Sequence, residues 1–296
     1  YKDRFARRIM FPIRNHLGKT IGFTGRILDD SGDAAKYVNS PETPIFQKSK
    51  ILYGFSKAKQ AISREKTAFL AEGQMDVLMA WQSGIRNAVA VSGTALTPSH
   101  LITLRRIADT VVVSFDSDEA GLKALERALS LFGNFDFYVK SVDLGKFEDP
   151  ADACRRDPEG FRKLVSGAEP AMKVLFKKRL ARPGDTALKK RAVRGLLSLI
   201  SGLKSGVERD MWLGELSEIS GVSENMLRVE LDSIGVREGN VPDTGYSVDG
   251  KSRLTRADRL SRRLLVVAFS DDSFYTETER YVGLLTDEYR KIFEES

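Results

Sequence analysis

The stretch TVVVSFDSDEAG, Thr110 to Gly121, constrains the fold more than any other part of the chain. Val111, Val112 and Val113 would put β-branched apolar side chains on both faces of a strand, so that strand must be covered on both sides. It then stops at Asp116 and Asp118, one residue apart, with Glu119 next. Doubly covered strands belong to parallel sheets flanked by helices, and the surrounding sequence repeats the pattern. Strand-like TAFLA from Thr67, NAVAV from Asn87 and FDFYVKSV from Phe135 alternate with helical segments starting at Met75, Pro98 and Glu119. This spacing predicts βαβ units with right-handed crossovers, whose ligands collect at the carboxyl ends of the strands.

At 296 residues the chain exceeds one comfortable core. Residues 1–65 mix short strand-like runs, RIMFPI and IGFTGRIL, with turn formers and dispersed basic residues, which predicts a small α+β unit. Residues 66–157 hold the α/β alternation. Residues 158–235 predict a helical bundle, with Leu188, Ala192, Leu196, Leu199, Ile200 and Leu203 spaced along one face. Residues 236–252 are poor in apolar side chains and read as a linker, and residues 253–296 as an amphipathic helical tail.

Acidic residues follow three of the strands: Glu72 after the first, Asp116 and Asp118 after the third, Asp149 and Asp152 after the fourth. If those tips are neighbours, five carboxylates face one crevice and repel unless a cation sits among them. Cys154 is the only cysteine, and His16 and His100 the only histidines, which excludes an intrachain disulfide and a thiolate or imidazole zinc cage. Oxygen ligands suit Mg²⁺ or Mn²⁺, and such ions serve phosphoryl transfer by polarising attacking and leaving oxygens. The plainer alternatives are helix caps for Asp116, Asp118, Asp149 and Asp152, and a helix-dipole partner for Asp76. Cys154 reads as a packing residue and His100 as a surface or capping residue.

Lys plus Arg number 47 against 41 Asp plus Glu, a net charge of +6 that moderately favours polyanionic partners. No apolar run approaches the roughly 20 residues of a bilayer span, and no signal-peptide core is visible, so a cytoplasmic setting is expected. The first residue is Tyr1, as expected of a fragment or processed piece. After the second strand, SGTALTPSH offers Gly93 and Thr94 as exposed amides for a phosphate, or an ordinary strand-to-helix turn capped by Thr97.

EGQMDV (72–77), SGTALT (92–97), SFDSDEAG (114–121) and EDPAD (148–152) together resemble the TOPRIM core shared by bacterial primases, topoisomerases and some nucleases. RFARRIMFPI, IGFTGRIL, KYVNSPETPIFQKSKILYG and ERAL, in that order, resemble the polymerase domain of DnaG-type bacterial DNA primases. The resemblance implies an amino-terminal α+β subdomain, a Rossmann-like parallel TOPRIM subdomain and a helical bundle. It implies a DNA-dependent RNA polymerase, a nucleotidyltransferase making short primers with Mg²⁺ or Mn²⁺. Glu72, Asp116 and Asp118 match the essential acidic triad, and Asp76 and Asp149 match supporting metal positions. Arg26, Lys36, Asn39 and Lys48 fall in the family-like motifs and, with Arg7, Gly93 and Thr94, are expected to bind nucleotide or template. Arg7 and Arg8 also read as strand-edge charges.

Implied partners are single-stranded DNA, ribonucleoside triphosphates, the replicative helicase and single-stranded DNA-binding protein, at the bacterial replication fork and without a membrane. RADRLSRRLLVVAFSD resembles the start of the helicase-binding region, and the family's amino-terminal zinc domain has no ligands in this sequence. Three positions depart from the family pattern: Gln74 where an aromatic is common, Ser117 where glycine is common, and DPAD in place of DPD. The rivals are a strand-cleaving TOPRIM nuclease or topoisomerase and a non-catalytic nucleic-acid scaffold.

Overall fold

The computed structural model describes residues 3–28, 35–181 and 185–238, with single positions 261, 285 and 290. The first elements are β1 (Arg8–Arg14) and β2 (Thr20–Ile27), antiparallel, with β3 (Tyr37–Asn39) added beside β2. Asn15 shapes the β1–β2 turn: its side-chain oxygen accepts from the amides of Leu17 and Lys19, both at 3.0 Å. Helix α1 (Phe55–Glu65) then leads into the alternating segment.

That segment runs β4 (Thr67–Ala71), α2 (Gln74–Gln82), β5 (Ala88–Ala90), α3 (Pro98–Arg105), β6 (Thr110–Ser114), α4 (Glu119–Phe132) and β7 (Tyr138–Ser141). After α5 (Pro150–Arg156) and α6 (Pro158–Ser166) comes a two-residue strand, β8 (Glu169–Pro170). The sheet order is β5-β4-β6-β7-β8, parallel except for β8, which pairs antiparallel at the edge. Four helices complete the described chain: α7 (Ala171–Leu180), α8 (Thr186–Ser201), α9 (Gly206–Ser220) and α10 (Glu224–Glu238). The protein is thus a mixed α/β fold with an amino-terminal sheet, a central parallel-dominated sheet and a helical end.

Period-two alternation explains the doubly apolar strands. Ala68, Leu70, Val111 and Val113 face one core cluster, shared with α3, α4 and the helices α7 to α9. Phe69, Ala71 and Val112 face the other, with Val77 and Ala80 of α2 and Phe161 of α6, and with Ile13 and Phe46 of the amino-terminal unit. Cys154 belongs to this second core, where burial pushes its thiol up to about 11.

Two features differ from the sequence-based expectation. The fourth strand begins only at Tyr138, because the Phe137 amide turns back to the Phe135 carbonyl at 3.0 Å and the ladder with β6 opens at Tyr138 opposite Thr110. The helical stretch after residue 158 is interrupted by β8, which is too short and too proline-bound to carry a strand signal. His100 is fully buried, so of the two expected roles, surface or cap, the structure takes the cap. One ring nitrogen accepts from the Thr97 amide, capping α3, and the other lies 3.1 Å from the Lys48 carbonyl. The expected linker at 236–252 and tail at 253–296 lie outside the described residues, apart from 236–238, which continue α10, and the single positions 261, 285 and 290.

Candidate active site

β4 is the first strand of the parallel sheet, and the chain leaves it on both sides: to β5 on one edge and, later, to β6 on the other. Such a reversal opens a crevice beyond the strand ends. Ala71 of β4 stands opposite Ser114 of β6, so Glu72 and Asp116 emerge side by side. The Asp116 backbone bonds to the Glu72 carboxylate, and both Asp116 and Asp118 act on that carboxylate's charge.

Neighbouring bonds fix the tips. The Ser117 amide donates to the Glu148 carbonyl at 3.0 Å and its hydroxyl to the Phe147 carbonyl at 2.7 Å. These two bonds tie the end of β6 to the segment that carries Asp149. The second is one a glycine at 117 has no side chain to make. Gln74 is also accommodated: it is buried, and its side-chain oxygen accepts from the Ser92 hydroxyl at 3.0 Å. Gly121 is required by close approach, since a Cβ there would lie 2.8 Å from the Asp116 carbonyl carbon and 2.9 Å from its nitrogen.

The crevice has a volume of about 820 Å³ and runs between the strand tips and the amino-terminal sheet. Glu72, Asp76, Asp116 and Asp149 line one side, and Arg26, Lys36 and Asn39 come from β2, the segment before β3, and β3 itself. Gly93 and Thr94 complete the rim, and a Cβ on Gly93 would meet the Asn39 amide nitrogen at 3.0 Å. Gly93 has φ +82, and Ser92 beside it has φ +51, so the loop after β5 takes two left-handed residues in succession to turn beneath Asn39.

Three expected residues are placed elsewhere. Asp118 does not line the crevice; its carboxylate caps α4 by accepting from the Gly121 amide at 2.8 Å, although its charge still reaches Glu72. Lys48 is off the crevice as well, its amide bonded to Glu42 at 3.0 Å and its carbonyl facing His100. Arg7 stands just before β1 with φ 58 and is not among the lining residues. The plainer roles are realised beside the chemical ones. Asp149 caps α5 through the Asp152 amide at 2.6 Å, and Asp76 accepts from the Gly73 amide at 3.0 Å. Asp152 lines the crevice but gives one oxygen to Arg155 and Arg156, at 2.8 and 2.7 Å, and these arginines hold its carboxyl below the usual range.

Some crevice residues were not singled out from sequence. Tyr37 lies under Arg26, whose guanidinium carbon is 5.8 Å from the ring centroid, and burial raises its phenol. Thr24 is buried at the crevice floor. Neither carries a sequence signal beyond its place in a strand.

The electrostatics are those of crowded, partly desolvated carboxylates. Burial raises Glu72, and Asp116 and Asp118 raise it further. Burial raises Asp116, with Asp149 and Asp118 adding, while Lys36 across the crevice lowers it. Asp76 is pushed up to about 7, first by burial and then by Asp149 and Asp116. Four buried polar atoms without a hydrogen-bond partner line this one crevice: Thr24 Oγ1, Asn39 Oδ1, Glu72 Oε1 and Asp152 Oδ2. Buried oxygens seldom go unpaired, so their gathering marks a place prepared for a bound group.

Among the described residues no three carboxylate, imidazole or thiol groups converge tightly enough to enclose an ion. Mg²⁺-type chemistry asks for one or two carboxylates to hold an ion that keeps its waters and takes substrate phosphate oxygens. Glu72 and Asp116, hard oxygen donors with raised affinity for positive charge, fit such a group.

Family models match the chain in three places. Residues 1–59 match the DNA primase catalytic core N-terminal domain, 69–154 a Toprim-like domain, and 184–225 the DnaB-helicase binding domain of primase. The chain is 40% identical over 233 residues to a DNA primase of Halalkalibacterium halodurans, covering 77% of this chain and 38% of that one. It is 35% identical to a solved DNA primase domain from Pseudomonas aeruginosa, with TM-score 0.65, over 78% of this chain and 73% of the other. The chain belongs to the DnaG-type DNA primase family. A second solved relative, a DnaG primase catalytic domain bound to single-stranded DNA, is 34% identical with TM-score 0.63, over 76% of this chain and 72% of that one. The chain spans well under half the length of the curated primase it matches at 40% identity. The primase helicase-binding match falls on α8 and α9, not on the tail where the sequence resemblance was seen.

Proposed function

We propose that this chain is the polymerase core of a bacterial primase, a nucleotidyltransferase that builds short RNA primers on single-stranded DNA. The observation that carries this reading is the pairing across one crevice of the Glu72, Asp76, Asp116 and Asp149 carboxylates with Arg26 and Lys36. A nucleoside triphosphate entering there meets cationic side chains on its phosphates, while the carboxylates face the reacting phosphorus.

Mg²⁺ or Mn²⁺ held by Glu72 and Asp116 would supply polarisation of the attacking and leaving oxygens. Glu72 Oε1, buried and unpartnered, is the oxygen we assign to take the proton from the attacking 3′-hydroxyl. The 3′-oxygen then bonds to the α-phosphorus and pyrophosphate leaves, its charge met by Lys36 and Arg26. Asn39 and the Gly93–Thr94 turn border the same space and would orient ribose or phosphate. Asp118 serves by holding the start of α4 and by adding negative potential at Glu72, rather than by lining the crevice.

The solved relative bound to single-stranded DNA supports a template partner, and the match at 184–225 supports docking to the replicative helicase. Single-stranded DNA-binding protein is a further proposed partner at the fork. Among the described residues no helix is long and apolar enough to cross a membrane.

The test is to supply single-stranded DNA, ribonucleotides and Mg²⁺ or Mn²⁺, and to follow new short RNA and template cleavage separately. New RNA that disappears in Asp116→Ala is the expected result. Template nicking without RNA would assign the crevice to the strand-cleaving branch of the TOPRIM proteins.

A further inference from the structure

A second pocket, of about 380 Å³, lies away from the carboxylates. Arg14, Lys50, Lys59 and Arg106 line it together with His16, over a floor that includes Phe55, and no carboxylate among the described residues lines it. Among the described residues the cations are placed without being neutralised. Arg14 donates to the Gly18 carbonyl at 2.8 Å and Lys59 to the His16 carbonyl at 3.0 Å, bonds that orient each group and leave its charge intact. Lys50 sits in the turn Lys48–Lys50, which α3 pins from two directions: Thr97 Oγ1 donates to the Ser49 carbonyl at 2.6 Å, and His100 meets the Lys48 carbonyl. Lys50 and Arg106 are exposed and make no ion pair among the described residues.

Four like charges gathered around an apolar hollow repel one another until an anion arrives. The lining combines phosphate-binding cations with an aromatic and aliphatic floor, the pair of features that holds a nucleotide by its backbone and its base. We propose that this pocket binds one nucleotide unit of a single-stranded nucleic acid, at a site separate from the catalytic crevice. Arg14 pairs with Thr20 at one end of the amino-terminal sheet, while Arg26, which lines the crevice, lies six residues further along β2. At about 3.3 Å per residue the two sites are roughly 20 Å apart. A strand occupying both must therefore span roughly six stacked nucleotides at about 3.4 Å each.

The inference rests on the primer-synthesis reading for its choice of ligand, and its test is separable from that reading. Binding of fluorescent oligothymidylates of 4 and 12 nucleotides is measured across a salt series for the wild-type chain and for Lys50→Ala/Arg106→Ala. The thermal midpoint of the variant, expected to be unchanged, guards against misfolding. The variant is expected to lose about tenfold in affinity for the 12-mer near 0.1 M salt. Its slope of log affinity against log salt should fall by about 1.4, the value for two lost phosphate contacts on a single strand. Binding of the 4-mer, which the crevice alone accommodates, should not change. Equal affinities and slopes for the 12-mer would overturn the proposal, as would equal losses for both lengths or no binding of either by the wild-type chain. The primer-synthesis reading stands or falls separately, on RNA synthesis by the wild-type chain and Asp116→Ala.

Discussion

Replacing Gly121 with alanine sets two effects against each other at one atom. In a helix, alanine is favoured over glycine by about 1 kcal/mol. Against this, the added Cβ would sit 2.8 Å from the Asp116 carbonyl carbon and 2.9 Å from its nitrogen, where carbon contacts are comfortable at about 3.5–4.0 Å. The obstacle is backbone and cannot rotate aside, so the overpacking cost belongs at the upper part of the usual range of about 1–3 kcal/mol. The steric effect wins, and Gly121→Ala should lower stability by about 1–2 kcal/mol in urea unfolding.

The displaced atoms are those of Asp116 itself, so a shift on the order of 1 Å should also cost about a hundredfold in RNA synthesis. Gly195 in α8 is the control: nothing lies within 4 Å of its Cβ position, so Gly195→Ala should gain about 0.5–1 kcal/mol and leave synthesis unchanged. If Gly121→Ala proved as stable as Gly195→Ala and kept full synthesis, the packing of α4 against Asp116 would not be as described.

Three further outcomes follow from the electrostatics. Asp76 is raised from 3.8 to about 7, so between those values the folded chain binds more protons than the unfolded one, and metal-free stability should fall as pH rises through that window. Mg²⁺ entering the crevice must then expel protons, and calorimetry at pH 6.5 in buffers of different ionisation enthalpy should find about one released per ion; no release would contradict the crowding of these carboxylates. Arg179 of α7 holds Glu119 and Glu126 of α4, each at 2.6 Å, and is largely buried, so Arg179→Ala should cost about 1.5–3 kcal/mol in denaturant unfolding; a loss under about 0.5 kcal/mol would show the bridge to be inert.

The alternation of strands and helices was legible because doubly apolar strands such as Thr110–Ser114 leave no other economical way to be covered. The meeting of Glu72 with Asp116 was legible for the same reason, since both follow strands of one parallel sheet. What sequence could not resolve was the direction of individual side chains. Asp118 turns into the cap of α4, and Lys48 is engaged through its backbone, because local hydrogen bonds available only in the folded turn decide those positions. His100 is buried because α3 docks on a turn some 50 residues earlier, a tertiary contact with no local signature. Thr24 and Tyr37 become crevice residues only when the amino-terminal sheet is set over the strand tips.

The central claim is that Glu72 and Asp116 bind a divalent cation between the tips of β4 and β6, and it is tested most directly by crystals soaked in Mn²⁺ and measured for anomalous scattering. The account predicts a Mn²⁺ peak in the crevice at about 2.1 Å from oxygens of both carboxylates, with water completing its shell. Occupancy elsewhere, with an empty gap between Glu72 and Asp116, would contradict it.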